Sequence, residues 1–432
     1  MTFETDRPAS WQVCVACGNE LTESDPRSRC PSCGGLLEIA HRPPDLTRAE
    51  LLLRFTERRG GRPGAPASGV WRFREFVLPS AEEVVSHPEG NTPLLHREAL
   101  DRWTGIEDLL LKHEGHNPTG SFKDRGMTVG VTQALRIGAR AVACASTGNT
   151  AASLAAYAAQ AGIPALVLVP AGNVASGKLA QSLAYGARTL LVRGGFDDCL
   201  RLVQEASDRL GVYLLNSINP FRIEGQKTIV LELLEQLAWD PPDWIVLPAG
   251  NLGNTAAFGK ALREALAWGL ITRMPRIAAV QAAGAAPFAR SFQEGFKRRH
   301  RVQPETVATA IRIGDPASHD RAVRTIRETD GVVLAVTDAQ ILEAKAAVDG
   351  CGVGCEPASA ASVAGARELA RRGTIAVGAR VVAVLTGHVL KDPGMLLDYH
   401  VERDPPPPGA NRPIGIEADL REVERVLEQR EA

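Results

Sequence analysis

The sequence predicts an α/β protein with two doubly wound lobes and a small cysteine-rich ribbon at its N-terminus. Three observations carry this expectation. Short apolar runs recur between residues 90 and 390, separated by stretches with helical pattern, the alternation expected of parallel sheets covered by helices. A chain of 432 residues, 44% of them hydrophobic, is long enough for two packed lobes with a cleft between them. Finally, two Cys-x2-Cys pairs fall within the first forty residues.

Taken in chain order, Cys14 and Cys17 form the first pair and Cys30 and Cys33 the second, each running into a glycine, Gly18 or Gly34. That spacing matches two knuckles sharing one tetrathiolate zinc site. Residues 1–45 therefore read as a zinc ribbon, closed by the strand-like run 35–39. Between its cysteine pairs the ribbon has two arginines, Arg27 and Arg29, and no aromatic residue, so a nucleic-acid surface is poorly supported and a structural staple is expected. The other four cysteines (Cys144, Cys199, Cys351, Cys355) are expected to pack as small apolar residues.

A turn-rich connection follows at Gly60-Gly61-Arg62-Pro63-Gly64-Ala65-Pro66. Beyond it, the runs 165–169, 189–192, 244–247, 277–280 and 381–385 are apolar throughout, which predicts strands buried on both faces. Helices are expected over 151–161, 228–237 and 256–264. The expected division is a two-lobed catalytic region over 46–400, its smaller lobe at about 130–220, and then 401–432. That last part joins a proline-rich linker, Pro405 to Pro408, to a charged helix with Leu420, Val423, Val426 and Leu427 on one face. The helix is expected to pack on the surface or on a partner subunit.

Charge excludes some roles. Forty-nine Lys+Arg against 50 Asp+Glu leave no global field to draw nucleic acid or an anionic membrane. The apolar stretch 141–170 is broken by Ser146 to Thr150, Gly162 and Pro164, so no run is long enough to span a bilayer. Residues 1–11 read as neither signal nor transit peptide, which makes the cytoplasm the expected location.

Five segments carry chemistry. Asn117-Pro118-Thr119-Gly120-Ser121-Phe122-Lys123 puts a lysine just past a turn, at a helix start, where an amine can be kept from bulk water and hold an aldehyde cofactor as a Schiff base. Gly250-Asn251-Leu252-Gly253-Asn254 follows the run 244–247 and precedes a helix; converging backbone N–H groups and the helix terminus suit an anion. Ser146-Thr147-Gly148-Asn149-Thr150 gathers hydroxyls and an amide at another helix start, a cradle for a carboxylate. Asn216-Ser217 through Arg222 offers a guanidinium and further donors for a second phosphate. Thr386-Gly387-His388 ends a buried strand, where α/β sheets place ligand contacts.

Together with Glu89-Gly90-Asn91-Thr92-Pro93-Leu94, Thr306 to Gly314 and Glu356-Pro357-Ala358-Ser359, these segments resemble the threonine synthase family, fold-type-II pyridoxal-phosphate enzymes, over roughly residues 10 to 430. The resemblance implies that Lys123 attaches pyridoxal 5'-phosphate and later moves protons, with Phe122 packed near the ring. It assigns Asn149 to the phenolic oxygen, Gly250, Asn251, Leu252, Gly253 and Asn254 to the cofactor phosphate, and Thr386 to the pyridine nitrogen. Ser146, Thr147 and Thr150 would face the substrate carboxylate; Lys178, Asn216, Ser217 and Arg222 would hold the substrate phosphate. The implied reaction converts O-phospho-L-homoserine and water to L-threonine and phosphate in a homodimer. Two positions depart from the family pattern: Leu252 stands where alanine is usual and Val389 where glycine is common, both adding bulk near the cofactor. Rival readings are a lyase acting on O-phosphoserine, as in cysteate synthase, and a threonine or serine dehydratase. The dehydratases have no need of the second phosphate pocket.

Overall fold

A computed structural model of the chain describes residues 8–172 and 176–428, with the side chains of 176–178 outside the description. Strands β1 (Ser10–Cys14), β2 (Glu20–Leu21) and β3 (Leu37–His41) form a small antiparallel sheet in the order β2-β1-β3. The ribbon is tied to the rest of the chain by polar contacts. Arg321 donates to the Leu37 carbonyl, and the ring of His41 meets the Glu224 carboxylate at 2.6 Å.

The chain then lays down β4 (Leu94–His96) and β5 (Asp108–His113) and leaves to build a second sheet from β6 (Ala141–Ala145), β7 (Ala165–Pro170), β8 (Arg188–Val192) and β9 (Val212–Leu214). It returns for β10 (Trp244–Pro248), β11 (Arg276–Ala282), β12 (Val332–Val336) and β13 (Arg380–Leu385). The result is a six-stranded sheet, β12-β11-β10-β13-β5-β4, and a four-stranded sheet, β8-β7-β6-β9. Both are parallel except for the β4–β5 pair.

Successive residues of a strand face opposite sides of the sheet, and here both sides are core. Ile245 and Leu247 of β10 join a cluster with Phe258 and Leu262 of the helix Gly253–Ala267, whereas Trp244 and Val246 join Ala360 and Val363 of the helix Pro357–Arg371. In the smaller sheet, Val142 and Cys144 pack with the helix Asn149–Ala161, and Ala141, Ala143 and Ala145 pack with Cys199 and Val203 of the helix Phe196–Leu210. Two covered faces explain why these strands read as unbroken apolar runs.

One strand departs from the expectation of burial. β8 is the edge of the smaller sheet, and Leu190 and Leu191 are 43% and 64% exposed. A uniform apolar run signals a strand but not its position within the sheet. The C-terminal helix Leu420–Glu428 has no buried residue; its apolar face, including Leu420 and Leu427, is open to solvent.

Candidate active site

Lys123 opens the helix Lys123–Arg136, and the turn before it is fixed from several sides. Gly120 N–H donates to the Asn117 carbonyl at 2.8 Å, and the Asn117 side chain accepts from Gly90 N–H at 2.8 Å. The buried Asp124 carboxylate accepts from Thr119 N–H (2.7 Å), the Thr119 hydroxyl (2.6 Å) and the Ser153 hydroxyl (2.6 Å), locking the turn to the helix Asn149–Ala161. The end of β13 pairs with the turn as well: Phe122 N–H donates to the Thr386 carbonyl at 3.0 Å and His388 N–H to the Gly120 carbonyl at 2.9 Å. Thr386 is thereby brought beside Lys123, although 263 positions separate them in sequence.

The Lys123 ammonium lies 4.1 Å from the centroid of the Phe122 ring. Burial pushes its pKa down to about 7; the Arg222 charge adds to this and Glu356 opposes it. An amine in this state is substantially neutral near physiological pH and able to act as a nucleophile or a base.

Behind the turn, a buried charge network anchors the helix. The Glu232 carboxylate meets Lys112 at 2.6 Å, Arg125 at 2.9 Å and Arg72 at 3.1 Å, and it accepts from the N–H groups of Asn91 and Thr92. Arg125 also grips Glu114 at 2.7 Å. Burial is outweighed by these cations, and the Glu232 pKa is held well below the usual carboxylate range. A second network joins Glu224 to Lys227 (2.5 Å), Lys260 (2.9 Å) and His41. The two lysines already neutralise Glu224 and Glu264, so this cluster is an ion-pair network rather than a metal site.

The glycine-rich loop follows β10 and starts the helix Gly253–Ala267. Its first intrahelical bond is Ala256 N–H to the Leu252 carbonyl, which leaves the preceding amides outside the helical ladder. Leu252 takes a left-handed conformation, φ 64°, but its side chain joins the large core and is 2% exposed; its bulk is directed inward. The bulk of Val389 is likewise absorbed, against Gly354. Asn251 donates to the Ser217 hydroxyl at 2.8 Å and accepts from Ala317 N–H, linking this loop to the Asn216-Ser217 segment.

Ser146, Thr147, Asn149 and Thr150 lie half-buried where β6 meets its helix. Asn216 clamps that junction, accepting from Ala145 N–H at 3.0 Å and donating to the Ala145 carbonyl at 3.1 Å. Arg222, in the helix Pro220–Gln226, is 1% exposed. It donates to the Leu215 carbonyl at 3.1 Å, and its Nε and Nη2 have no partner among the described residues. Burial lowers its pKa to about 10. The Lys178 side chain is outside the described residues.

The donor set fits a phosphorylated aldehyde. Thr255 Oγ1 and the Arg222 Nε and Nη2 are buried donors without partners among the described residues. Such atoms are costly unless a ligand or water satisfies them. Sequence reasoning assigned no role to Glu356, whose carboxyl accepts from the Asn149 amide at 3.0 Å and lies 3.1 Å from the Thr386 hydroxyl; its signals were its place before a proline at a helix start and its segment's part in the family resemblance. In the ribbon, the four thiols of Cys14, Cys17, Cys30 and Cys33 converge. Their sulfurs are 3.4 Å (Cys14–Cys33), 3.4 Å (Cys17–Cys33) and 3.7 Å (Cys17–Cys30) apart, close to the ~3.8 Å edge of a tetrahedron with metal–sulfur bonds of ~2.3 Å. Gly18 and Gly34 both adopt positive φ, as the turn at each knuckle requires.

Comparison with known proteins identifies the family. The family model described as "Pyridoxal-phosphate dependent enzyme" matches residues 85–387. The chain is 46% identical over 389 residues to a threonine synthase of Methanosarcina acetivorans, covering 89% of this chain and 93% of that one. It is 43% identical over 424 residues to a threonine synthase of Methanocaldococcus jannaschii, covering 97% and 99%. The crystal structure of threonine synthase from Escherichia coli superposes with a TM-score of 0.67, at 18% identity, over 97% of this chain and all of that one; at that identity the likeness is one of fold. By these matches the chain belongs to the pyridoxal-phosphate dependent enzymes, among the threonine synthases.

Proposed function

We propose that the chain converts O-phospho-L-homoserine and water to L-threonine and phosphate, with pyridoxal 5'-phosphate attached at Lys123. The observation that carries this reading is the pairing of a lysine whose pKa is lowered to about 7 with a buried, incompletely partnered arginine, Arg222, whose charge reaches it. When bound, the cofactor supplies an electron sink for charge developing on substrate carbon. The protein supplies the rest. The amides of Gly250 to Asn254 and the start of their helix hold the cofactor phosphate. Asn149 donates to the phenolic oxygen, and the Thr386 hydroxyl faces the pyridine nitrogen. Ser146, Thr147 and Thr150 orient the substrate carboxylate. The Lys123 amine, once free, takes and returns protons at the substrate carbons, as its lowered pKa suits. Arg222, with Ser217, Asn216 and Lys178, receives the departing phosphate, whose growing charge a guanidinium matches in pairs.

The same reading gives the four ribbon cysteines a structural zinc ion and makes the working unit a cytoplasmic homodimer. The exposed apolar face of the C-terminal helix supports a second copy, and the eight unbridged cysteines suit a reducing compartment. No helix among the described residues is long and apolar enough to cross a membrane. The deciding experiment incubates cofactor-loaded protein with O-phospho-L-homoserine and identifies the product by NMR. Threonine with equimolar phosphate is expected, and loss of both in Lys123→Ala. Turnover of O-phosphoserine with none of O-phospho-L-homoserine would overturn the substrate assignment.

A further inference from the structure

Glu356 has no part in the roles assigned above, yet it lies between two of the residues that carry them. It caps the helix Pro357–Arg371 in extended conformation, and its N–H donates to the Gly387 carbonyl at 3.0 Å. Its side chain is buried. One carboxyl oxygen takes the Asn149 amide at 3.0 Å and the other meets the Thr386 hydroxyl at 3.1 Å. Asn149 follows the smaller sheet's β6 and Thr386 ends β13 of the larger sheet, so a single carboxyl spans the two parts of the site. The backbone leaves room for it: a Cβ on Gly387 would fall 2.5 Å from Glu356 Cδ and 2.6–2.7 Å from both oxygens.

The proton inventory around this carboxyl is short. Gly387 N–H donates to the Ser359 hydroxyl at 3.0 Å, and the Ser359 and Thr386 hydroxyls are 3.0 Å apart. Thr386 has one hydroxyl proton to place. An ionised Glu356 can only accept, so it takes that proton and Thr386 turns lone pairs toward the cleft. A neutral Glu356 instead donates to Thr386 and leaves the hydroxyl proton free for another acceptor. Glu356 forms no ion pair among the described residues. Burial raises its pKa, against the bonds from Asn149 and Thr386 and the more distant charges of Lys391 and Lys123.

We infer that Glu356 is a positioning residue that acts through Thr386: as the neutral acid it donates to the Thr386 hydroxyl and so makes that hydroxyl a donor toward the cofactor's pyridine nitrogen, while its other oxygen steadies Asn149. This rests on the assignment of Asn149 and Thr386 to the cofactor.

The test uses holoenzyme of Glu356→Gln, Glu356→Ala, Thr386→Val and the double variant Glu356→Ala/Thr386→Val. The readouts are cofactor affinity from titration of apoenzyme, the position of the visible band of lysine-bound cofactor, kcat and KM. A glutamine keeps one donor and one acceptor, so Glu356→Gln should match the parent in band position and affinity. Glu356→Ala should shift the band and lower cofactor affinity and kcat by roughly tenfold, the worth of one hydrogen bond. In the Thr386→Val background it should add clearly less than it costs the parent, the remainder being the support lost to Asn149. Should Glu356→Ala not fold, Glu356→Asp, one methylene too short to reach both partners, takes its place. A glutamine variant as impaired as alanine overturns the inference, because the charge would then be what matters. Multiplying effects in the double variant overturn it too, because Glu356 would then act independently of Thr386. A Thr386→Val holoenzyme indistinguishable from the parent in band and affinity would overturn the assignment of Thr386 itself, and the inference with it.

Discussion

Lys123 should capture its cofactor as an amine that is already neutral in mild alkali. With a pKa of about 7, roughly nine-tenths of it is neutral at about pH 8, against ~0.4% of an ordinary lysine titrating at ~10.4, an advantage of about 200-fold. Mixing apoenzyme with pyridoxal phosphate in a stopped-flow instrument, and following the visible band across this range, reads the titration directly. The cofactor phosphate completes its own ionisation near pH ~6 and does not intrude. Borohydride reduction and peptide mapping then show that Lys123 is the residue joined. The capture rate should rise through about pH 7 and level off by about pH 8.5. A rate still climbing tenfold per unit beyond pH ~9 would refute the argument, since it would mean an ordinary solvated lysine. Arg222 supplies part of the shift by repelling the ammonium, so Arg222→Ala should move the midpoint upward. Linkage runs the same way. Between about 7 and about 10.4 the unfolded chain holds a proton that the unloaded native protein lacks at Lys123, and stability should increase with pH through that window.

Three further outcomes follow from the packing and the site. Glu232→Ala leaves Lys112, Arg125 and Arg72 without a shared buried partner and should destabilise the protein by about 3–5 kcal/mol in denaturant unfolding; a loss under ~1 kcal/mol would show that the network relaxes freely. Arg222→Ala should lower kcat with the phosphorylated substrate by on the order of 10²–10³, and unchanged steady-state kinetics would remove Arg222 from the phosphate pocket. Protein from zinc-replete medium should contain one zinc per chain by elemental analysis, lost in Cys17→Ser/Cys33→Ser; zinc retained by that variant would refute the four-thiolate site.

Much of this was legible in the sequence, for identifiable reasons. β10, β11 and β13 are apolar on both faces and bounded by glycine, proline or charge, so each read as a strand. β5 escaped because Asp108 and Lys112 interrupt its apolar run; Lys112 is buried, but its charge is met by Glu232 from a distant helix. β4 and β9, three residues each, are too short to show a period. The segments around Lys123, Asn149, Gly250–Asn254 and Thr386 stood out because turn chemistry and helix starts are local. Contacts between distant elements stayed hidden: Glu356 with Asn149, 207 positions apart, and His41 with Glu224, 183 apart, have meaning only once the chain has brought them together.

The order of strands in the larger sheet also governs how the enzyme comes into being. β13, the last strand among the described residues, lies between β10 and β5, two neighbours laid down long before it. On the ribosome, everything up to residue 379 can emerge and still leave that central slot unfilled. The Lys123 turn would then lack the Thr386–His388 edge that holds it. Pairing at such sequence separation is slow to find, so capture of the cofactor becomes a late event of biogenesis. A nascent or C-terminally clipped chain would have its lysine exposed as an ordinary protonated amine, and completion of the sheet, by burying it, is the step that makes that amine reactive and gives it a pocket.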